Sequence, residues 1–299
     1  MNKIAAYLIL LRPKHWVKNL FLFIPIFFAG QFLLLDKLVE LIPAFFSFSL
    51  CASAIYIYND YQDIEADRAH PKKSKRPLAS GQIGIPVALG IIAIVLAAGL
   101  LTAYFISLKF LFVLGIYLLL NLAYSSGLKR VGILDIFIVA AGFVLRVKAG
   151  GVATGIPISA WLNVMIFLLA LLLTIAKRRD DVLLKGESGK EMRKSTRNYN
   201  LDLMNSLIVM VSGIIIVAYL IYTLSPNVIQ RFETHRLYYT AIFVIAGIMR
   251  YLQLVFVDND TGSPTNILYK DRFIQATIVL WILSFAFLIY FPDLEIFNS

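Results

Sequence analysis

The chain leaves its second apolar run through Asn59-Asp60-Tyr61-Gln62-Asp63-Ile64-Glu65-Ala66-Asp67-Arg68 and continues with Ala69-His70-Pro71-Lys72-Lys73-Ser74-Lys75-Arg76-Pro77. Asp60, Asp63 and Asp67 are spaced i, i+3 and i+7, so on a helix they share one face, and Asn59 lies four residues before Asp63. Neighbouring Cβ atoms on such a face are about 5–6 Å apart, and carboxylates this close repel one another unless a cation lies among them. Because Mg²⁺ binds substrate phosphates beside one or two carboxylates, the stretch predicts a magnesium–diphosphate site next to a bilayer.

The composition is that of a membrane protein. Of the 299 residues, 60% are hydrophobic and only 15% are charged, and the mean hydropathy is +0.79. At about 20 residues per crossing, the chain has room for about nine spans. We therefore predict an all-α polytopic membrane protein, with residues 1–299 forming a single transmembrane domain of about nine helices. The apolar runs are 17–35, 39–58, 83–106, 110–124, 133–149, 161–176, 206–224, 237–257 and 273–291.

Charge placement predicts the orientation. With the N-terminus in the cytoplasm, the cytoplasmic segments carry 21 of the 28 Lys and Arg residues, as the positive-inside rule requires. These segments are 1–18, 59–83, 125–132, 177–204 and 257–272. The net charge of +10 then reflects topology and anionic lipid, and no basic groove interleaved with aromatic residues suggests a nucleic-acid partner.

Two of the predicted cytoplasmic loops, 59–83 and 177–204, are long and charged. Each begins directly at the end of an apolar run, which suggests helices that protrude from the membrane. The second loop opens with Lys177-Arg178-Arg179-Asp180-Asp181. Four spans separate the two loops, a spacing that suggests one charged loop in each half of the chain.

The acidic motif after the second span, together with a charged loop after the sixth, resembles the UbiA-type membrane prenyltransferase superfamily. The resemblance implies nine transmembrane helices around a central cavity that is capped on the cytoplasmic side. It also implies that two acidic motifs hold Mg²⁺ and a diphosphate, with Asp60, Asp63 and Asp67 as the metal-binding and catalytic residues of the first motif.

Further motifs are similar to one branch of that superfamily, the decaprenyl-phosphate phosphoribosyltransferases. Such enzymes join 5-phosphoribosyl diphosphate to a polyprenyl phosphate and release diphosphate, and the lipid product feeds the arabinofuranose supply of cell-envelope glycans. The resemblance implies a bacterial cytoplasmic (inner) membrane. The motifs are Arg12-Pro13-Lys14-His15-Trp16-Val17-Lys18-Asn19, His70-Pro71-x-Lys73-x-x-Arg76-Pro77, Leu145-Arg146 with Ala149-Gly150-Gly151, Ala176-Lys177-Arg178, and Gly262-Ser263-Pro264 with Asp271-Arg272.

The second loop departs from the usual prenyltransferase pattern. In place of two aspartates four residues apart it has adjacent Asp180 and Asp181. Adjacent helical residues point about 100° apart, so the two do not easily chelate one ion. The basic cluster before them suits an additional phosphate, which phosphoribosyl diphosphate has at its 5-position and a prenyl diphosphate lacks.

The remaining candidates are groups suited to binding substrate. Arg offers a bidentate fork and Lys a point charge to phosphates. Each candidate has a plainer alternative: Lys177 and Arg178 as positive-inside anchors, Lys14 and Lys18 as contacts of lipid headgroups, and Arg146 as a charge that snorkels to the outer interface. The predicted substrate-binding residues are Asn59, Lys14, Lys18, Arg68, Lys73, Lys75, Arg76, Arg146, Lys177, Arg178 and Asp181.

Two other functions stay open at the sequence level. One is a magnesium-dependent prenyltransferase that joins a prenyl diphosphate to an aromatic or other acceptor. The other is a transporter of lipid or anions, which typically has broken spans and ionisable groups near the midplane, whereas here most charges lie in loops. A homo-oligomer is compatible with the sequence, which specifies no interface.

Overall fold

The computed structural model of the chain describes residues 3–69, 73–188, 199–257 and 270–290, and these residues form helices and connecting turns without a strand. Short 3-10 helices lie at Pro13–Phe23, Lys73–Lys75, Leu128–Arg130 and Leu237–Thr240. The α-helices are α1 (Lys3–Leu11), α2 (Ile24–Phe28), α3 (Leu35–Gln62), α4 (Ile64–Arg68), α5 (Ile85–Ile106), α6 (Leu108–Ser126), α7 (Leu134–Thr154), α8 (Ala160–Ser188), α9 (Leu201–Leu224), α10 (Pro226–Phe232), α11 (Ala241–Phe256) and α12 (Arg272–Tyr290).

Eight helical segments among these residues are long and apolar enough to cross a bilayer: Leu35–Gln62, Ile85–Ile106, Leu108–Ser126, Leu134–Thr154, Ala160–Leu183, Leu201–Leu224, Leu237–Phe256 and Arg272–Tyr290. Their exposed faces are apolar, as with Phe105, which is 77% exposed. Lipid tails are as apolar as these side chains, so the exposed faces suit a bilayer. An all-α, multi-pass membrane fold is therefore confirmed.

The count of nine spans is not confirmed, because the first predicted run, 17–35, is not one long helix. The chain there forms a 3-10 helix and then the five-residue α2. Pro13 and Pro25 each lie at the start of one of these elements. Proline is tolerated at a helix start, but it lacks the backbone N–H that a continuous helix needs, so the two prolines favour short elements here.

The chain divides into two compact units. The first contains Met1–Lys129 and Ala141–Ile158. Within it α3 packs closely on α5: the Ser47 hydroxyl donates to the Gly99 carbonyl at 2.7 Å, and a Cβ on Gly99 would lie 2.6 Å from Cys51 Sγ. The 3-10 helix Pro13–Phe23 packs on the same helix, α3.

The second unit contains Arg130–Ala140 and Ser159–Ser299. In it α8 packs on α9, and α11 packs on α12. Asp271 accepts a hydrogen bond from the Ile274 backbone N–H at 2.8 Å, which caps the start of α12, and it pairs with Arg250 of α11 at 2.8 Å. The hydrogen bond from the Arg250 side chain lowers the pKa of Asp271, which lies just before the membrane-spanning segment.

Candidate active site

The acidic motif lies where α3 ends, and the chain bends within it. Helix α3 stops at Gln62, Asp63 adopts φ −100° and ψ 10°, and α4 begins at Ile64. The backbone N–H of Asp63 still donates to the Asn59 carbonyl, and that of Asp67 to the Asp63 carbonyl. The single helical face that the spacing predicts is therefore interrupted at its middle residue.

Asp60 and Asp67 lie on opposite sides of this bend and are brought together by Arg76. Arg76 Nη1 donates to Asp60 Oδ1 at 2.8 Å and to Asp67 Oδ2 at 2.6 Å. Arg12 Nη2 donates to the same Asp60 oxygen at 2.5 Å. Both carboxylates are buried, at 3% and 2% exposed. A buried charge is costly unless it is paired, and here one guanidinium group occupies the position between the two acids.

Asp63 faces a different cation. Lys129 Nζ lies 2.8 Å from Asp63 Oδ1 and 3.0 Å from Oδ2. Lys129 belongs to the short connection after α6, 66 residues further along the chain. Among the described residues no group of three or more His, Cys, Asp and Glu side chains converges as a set of metal ligands. The motif therefore provides a pair of carboxylates, Asp60 and Asp67, with the third acid beside it.

This donor set fits Mg²⁺. The two carboxylates already share one cationic nitrogen, and the adjacent Asn59 presents a buried side-chain oxygen that has no hydrogen-bond partner among the described residues. Mg²⁺ prefers oxygen ligands and usually takes only one or two carboxylates, completing its shell with water and substrate phosphates. Asp60 and Asp67 satisfy that requirement without Asp63.

The other predicted residues of the first loop lie on α4 and in the 3-10 turn that follows it. Arg68 binds the Glu65 carboxylate at 3.1 Å on the exposed side of α4 and donates to the Ala79 carbonyl at 3.3 Å. Lys73 is half-buried and Lys75 exposed in the 3-10 turn that precedes Arg76. His70 and Pro71 of the same motif lie outside the described residues.

In the opening segment, which we define as residues 12–19, Lys14 is exposed and Lys18 is half-buried. Arg146 is buried in α7, at 5% exposed, so it does not extend to an interface as the alternative interpretation requires. Its guanidinium group donates to Asn19 Oδ1, the Gly142 carbonyl and the Tyr117 hydroxyl, each at 2.9 Å.

In the second unit, the predicted phosphate-binding residue Arg178 forms ion pairs with two acids of the same unit. Arg178, 2% exposed, binds the fully buried Asp135 at 2.6 Å and Asp181 at 3.3 Å. The Tyr199 hydroxyl donates to the other oxygen of Asp135 at 2.9 Å and accepts a hydrogen bond from the Ile133 backbone N–H. Burial raises the pKa of Tyr199 to about 12, so the hydroxyl remains a donor at neutral pH.

Arg178 thus contributes to a buried network, whereas Lys177 is exposed one residue earlier on α8. The helix continues through the basic cluster to Ser188, which agrees with the prediction of a protruding helix. The remainder of the second loop, 189–198, lies outside the described residues, as do Gly262, Ser263 and Pro264.

Sequence reasoning missed four residues of these networks: Arg12, Lys129, Asp135 and Tyr199. Arg12 begins the opening motif, but nothing in the sequence links it to the acidic motif 48 residues later. Lys129 counts in the sequence only as a topological charge. Asp135 carried a usable signal, since an acid near the start of an apolar run is costly unless it has a partner. Nothing in the sequence around Tyr199 predicts its contact with Asp135.

Comparison with known proteins identifies the class. Residues 19–185 match the model of the UbiA prenyltransferase family. The decaprenyl-phosphate phosphoribosyltransferase of Mycolicibacterium smegmatis is 31% identical, over 97% of this chain and 94% of that protein. The enzyme of the same name from Corynebacterium glutamicum is 32% identical, over 94% of this chain and 85% of that protein.

The fold agrees with this match. The structure of a UbiA homolog from Archaeoglobus fulgidus, bound to GPP and Mg²⁺, superposes with a TM-score of 0.70 at 21% identity, covering 95% of this chain and 99% of that chain. The chain belongs to the UbiA prenyltransferase family, and it is accordingly an enzyme, a membrane transferase. The resemblance that the sequence motifs predicted is confirmed.

Proposed function

We propose that this enzyme transfers the 5-phosphoribosyl group of phosphoribosyl diphosphate to a polyprenyl phosphate and releases diphosphate. The observation that supports this most strongly is the match, over nearly the whole chain, to relatives that carry the name decaprenyl-phosphate phosphoribosyltransferase. We further propose that the chain works as one domain in the bacterial cytoplasmic membrane, with its N-terminus and its acidic motif on the cytoplasmic side.

In this proposal Asp60 and Asp67 hold Mg²⁺, with Asn59 and the donor diphosphate completing its surroundings. A magnesium ion held by these residues would supply positive charge to the departing diphosphate. Arg76 and Arg12 keep the two carboxylates in place, and Arg76, Lys73 and Lys75 lie on the chain where they can bind donor phosphates. Asp63 is held by Lys129 and orients the bend between α3 and α4.

The reaction breaks the bond between the ribose C1 and the diphosphate oxygen, and the electron pair leaves with diphosphate. An oxygen of the acceptor phosphate forms the new bond to C1. Because that phosphate is already anionic at neutral pH, the enzyme needs no strong general base. Catalysis then depends on positioning and on electrostatic stabilisation of the leaving group.

The roles of the second unit follow from its pairing. Arg178, with Asp181 beside it, maintains the helical platform of the basic cluster through Asp135 and Tyr199. Lys177 is exposed on the same helix, and we propose it as a ligand of a substrate phosphate.

The test uses purified enzyme, Mg²⁺, polyprenyl phosphate and phosphoribosyl diphosphate labelled in the ribose. Label should enter the lipid phase with the wild type and with Glu65→Gln, and should be lost with Asp67→Asn or with EDTA. Glu65 is the matched control, since it lies two residues before Asp67 and its side chain is 88% exposed.

Absence of label, together with consumption of a prenyl diphosphate and an aromatic acceptor, would instead establish a prenyltransferase. Lipid or anion flux through proteoliposomes with neither transfer reaction would establish a transporter.

A further inference from the structure

The opening segment follows α3 from the acid pair into the membrane. Arg12 contacts Asp60 and lies over the Tyr56 ring at 5.6 Å. Four residues later the Trp16 indole N–H donates to Ser53 Oγ at 2.9 Å, and Asn19 Nδ2 donates to Ser49 Oγ at 2.9 Å. With a rise of 1.5 Å per residue, Ser49 lies about 16 Å along α3 from Asp60.

Arg146 meets this segment at its deep end. Its hydrogen-bond partners are the Asn19 amide, the Tyr117 hydroxyl and a backbone carbonyl, all of them uncharged. Three aromatic rings surround the guanidinium group, with that of Tyr117 nearest at 4.9 Å. In the part of the chain that the structure describes, no carboxylate pairs with Arg146. An ionised side chain at such depth usually marks a functional path.

Lys18 directly precedes Asn19, the residue through which Arg146 contacts the opening segment. It makes no hydrogen bond or ion pair with a described residue, and its side chain is half-buried. The charges of both Arg146 and Arg12 act on its ammonium group. Arg12 has the Asp60 carboxylate as a partner, whereas among the described residues neither Lys18 nor Arg146 pairs with a carboxylate. The deep part of this column of cations, Arg12, Lys18 and Arg146, therefore has an excess of positive charge that an anion would relieve.

The position of these cations along α3, away from the acid pair, indicates which substrate anion they would bind. If the donor diphosphate lies at Asp60 and Asp67, the ribose C1 follows it, and the acceptor phosphate must lie against C1 with its apolar tail directed into lipid. The acceptor phosphate therefore belongs on the membrane side of the acid pair, where Lys18 and Arg146 supply positive charge. Arg76, Lys73 and Lys75 come after the acidic motif and are placed for the donor.

We propose that Lys18 binds the phosphate of the polyprenyl phosphate acceptor and that Arg146 is a positioning residue, which holds Asn19 next to Lys18 and adds to the positive potential. This inference rests on the proposed function. It assigns Lys18 to the acceptor lipid, whereas Lys18 could otherwise bind a donor phosphate or the headgroup of an ordinary lipid.

The kinetic test measures both Michaelis constants. Lys18→Ala should raise KM for polyprenyl phosphate about tenfold or more, since a charge-assisted hydrogen bond to a phosphate is lost, and should leave KM for phosphoribosyl diphosphate within about twofold. Lys18→Arg should recover most of the loss. Arg146→Lys, which keeps the charge but loses the fork, should raise the acceptor KM by a smaller factor. Lys109→Ala, an exposed lysine at the start of α6, should match the wild type.

A binding test without donor or Mg²⁺ separates the acceptor from ordinary lipid. Polyprenyl phosphate added to detergent micelles should raise the unfolding temperature of the wild type and not of Lys18→Ala, whereas phosphatidylglycerol should affect both proteins equally. Equal dependence on Lys18 for both lipids, or a change confined to the donor KM, would overturn the inference. If the wild type transfers no label at all, the proposed function fails first, and the binding test still decides whether Lys18 recognises the lipid phosphate.

Discussion

At the residue scale, the centre of the site is Arg76 Nη1, a single nitrogen that lies within 3 Å of two buried carboxylates. Two ionised carboxylates this close repel each other, and a cation shared between them offsets that repulsion. The guanidinium group therefore supplies both acids with positive charge, the electrostatic task that we also assign to a metal–diphosphate complex during turnover.

Arg76→Ala should unfold at a lower temperature than the wild type in the absence of divalent cations, because it leaves Asp60 and Asp67 without their common partner. Added Mg²⁺ should raise its unfolding temperature more than that of the wild type, since the vacated carboxylates gain more from the ion. The measurement is thermal unfolding in detergent with and without Mg²⁺. An equal response to Mg²⁺ in the variant and the wild type would show that these acids do not hold the metal.

At the element scale, α7 and the 3-10 helix Pro13–Phe23 pack so closely that one residue of α7 has no room for a side chain. A Cβ on Gly150 of α7 would overlap the Leu22 carbonyl of the 3-10 helix. Leu22 itself is fully buried in the core of the first unit. Glycine at 150 thus lets α7 approach the segment that carries Lys18 and Asn19.

Gly150→Ala should lower the stability of the protein, even though alanine favours a helix interior by up to about 1 kcal/mol. Either Leu22 or α7 must move to make room for the methyl group. Gly115→Ala in α6 is the matched control, because a Cβ there meets nothing within 4 Å, and it should be neutral or slightly stabilising. Unfolding temperatures in the same detergent compare the two, and an unchanged value for Gly150→Ala would contradict the close packing.

The same element shows what sequence could and could not predict. Hydrophobic runs predicted eight of the spans well, since length and apolar composition determine them. The opening run was predicted as a ninth span, but Pro25 within it and Pro13 just before it favour short elements over a long helix. The i, i+3, i+7 spacing identified the acids, yet the bend at Asp63 divides them. Partners such as Arg12 and Lys129 come from 48 and 66 residues away, and periodicity carries no information about such contacts.

At the scale of the whole molecule, the side of the membrane on which the acidic motif lies follows from the orientation of α5. The helix separates Glu65, before it, from Lys109, after it. Cys51, the one cysteine of the chain, is fully buried, so labelling of newly introduced surface cysteines has little background.

With the N-terminus in the cytoplasm, Lys109→Cys should react with a membrane-impermeant maleimide in intact cells. Glu65→Cys should react only after the cells are permeabilised, because the positive-inside rule places its loop in the cytoplasm. Modification is measured as a mass shift of the purified protein. The reverse pattern would place the acidic motif on the outer side and would separate it from cytoplasmic phosphoribosyl diphosphate.

The pairing of the two buried acids also constrains the order in which ligands arrive. Asp60, Asp67, Arg12 and Arg76 carry two formal negative and two formal positive charges, so this group is neutral before any ligand enters. A bare divalent cation would leave it with a surplus of positive charge in a poorly hydrated place. A metal–diphosphate complex is itself an anion and avoids that surplus. We therefore expect metal and donor to enter together as one ligand, and pre-loading the enzyme with metal to give little advantage in the first turnover.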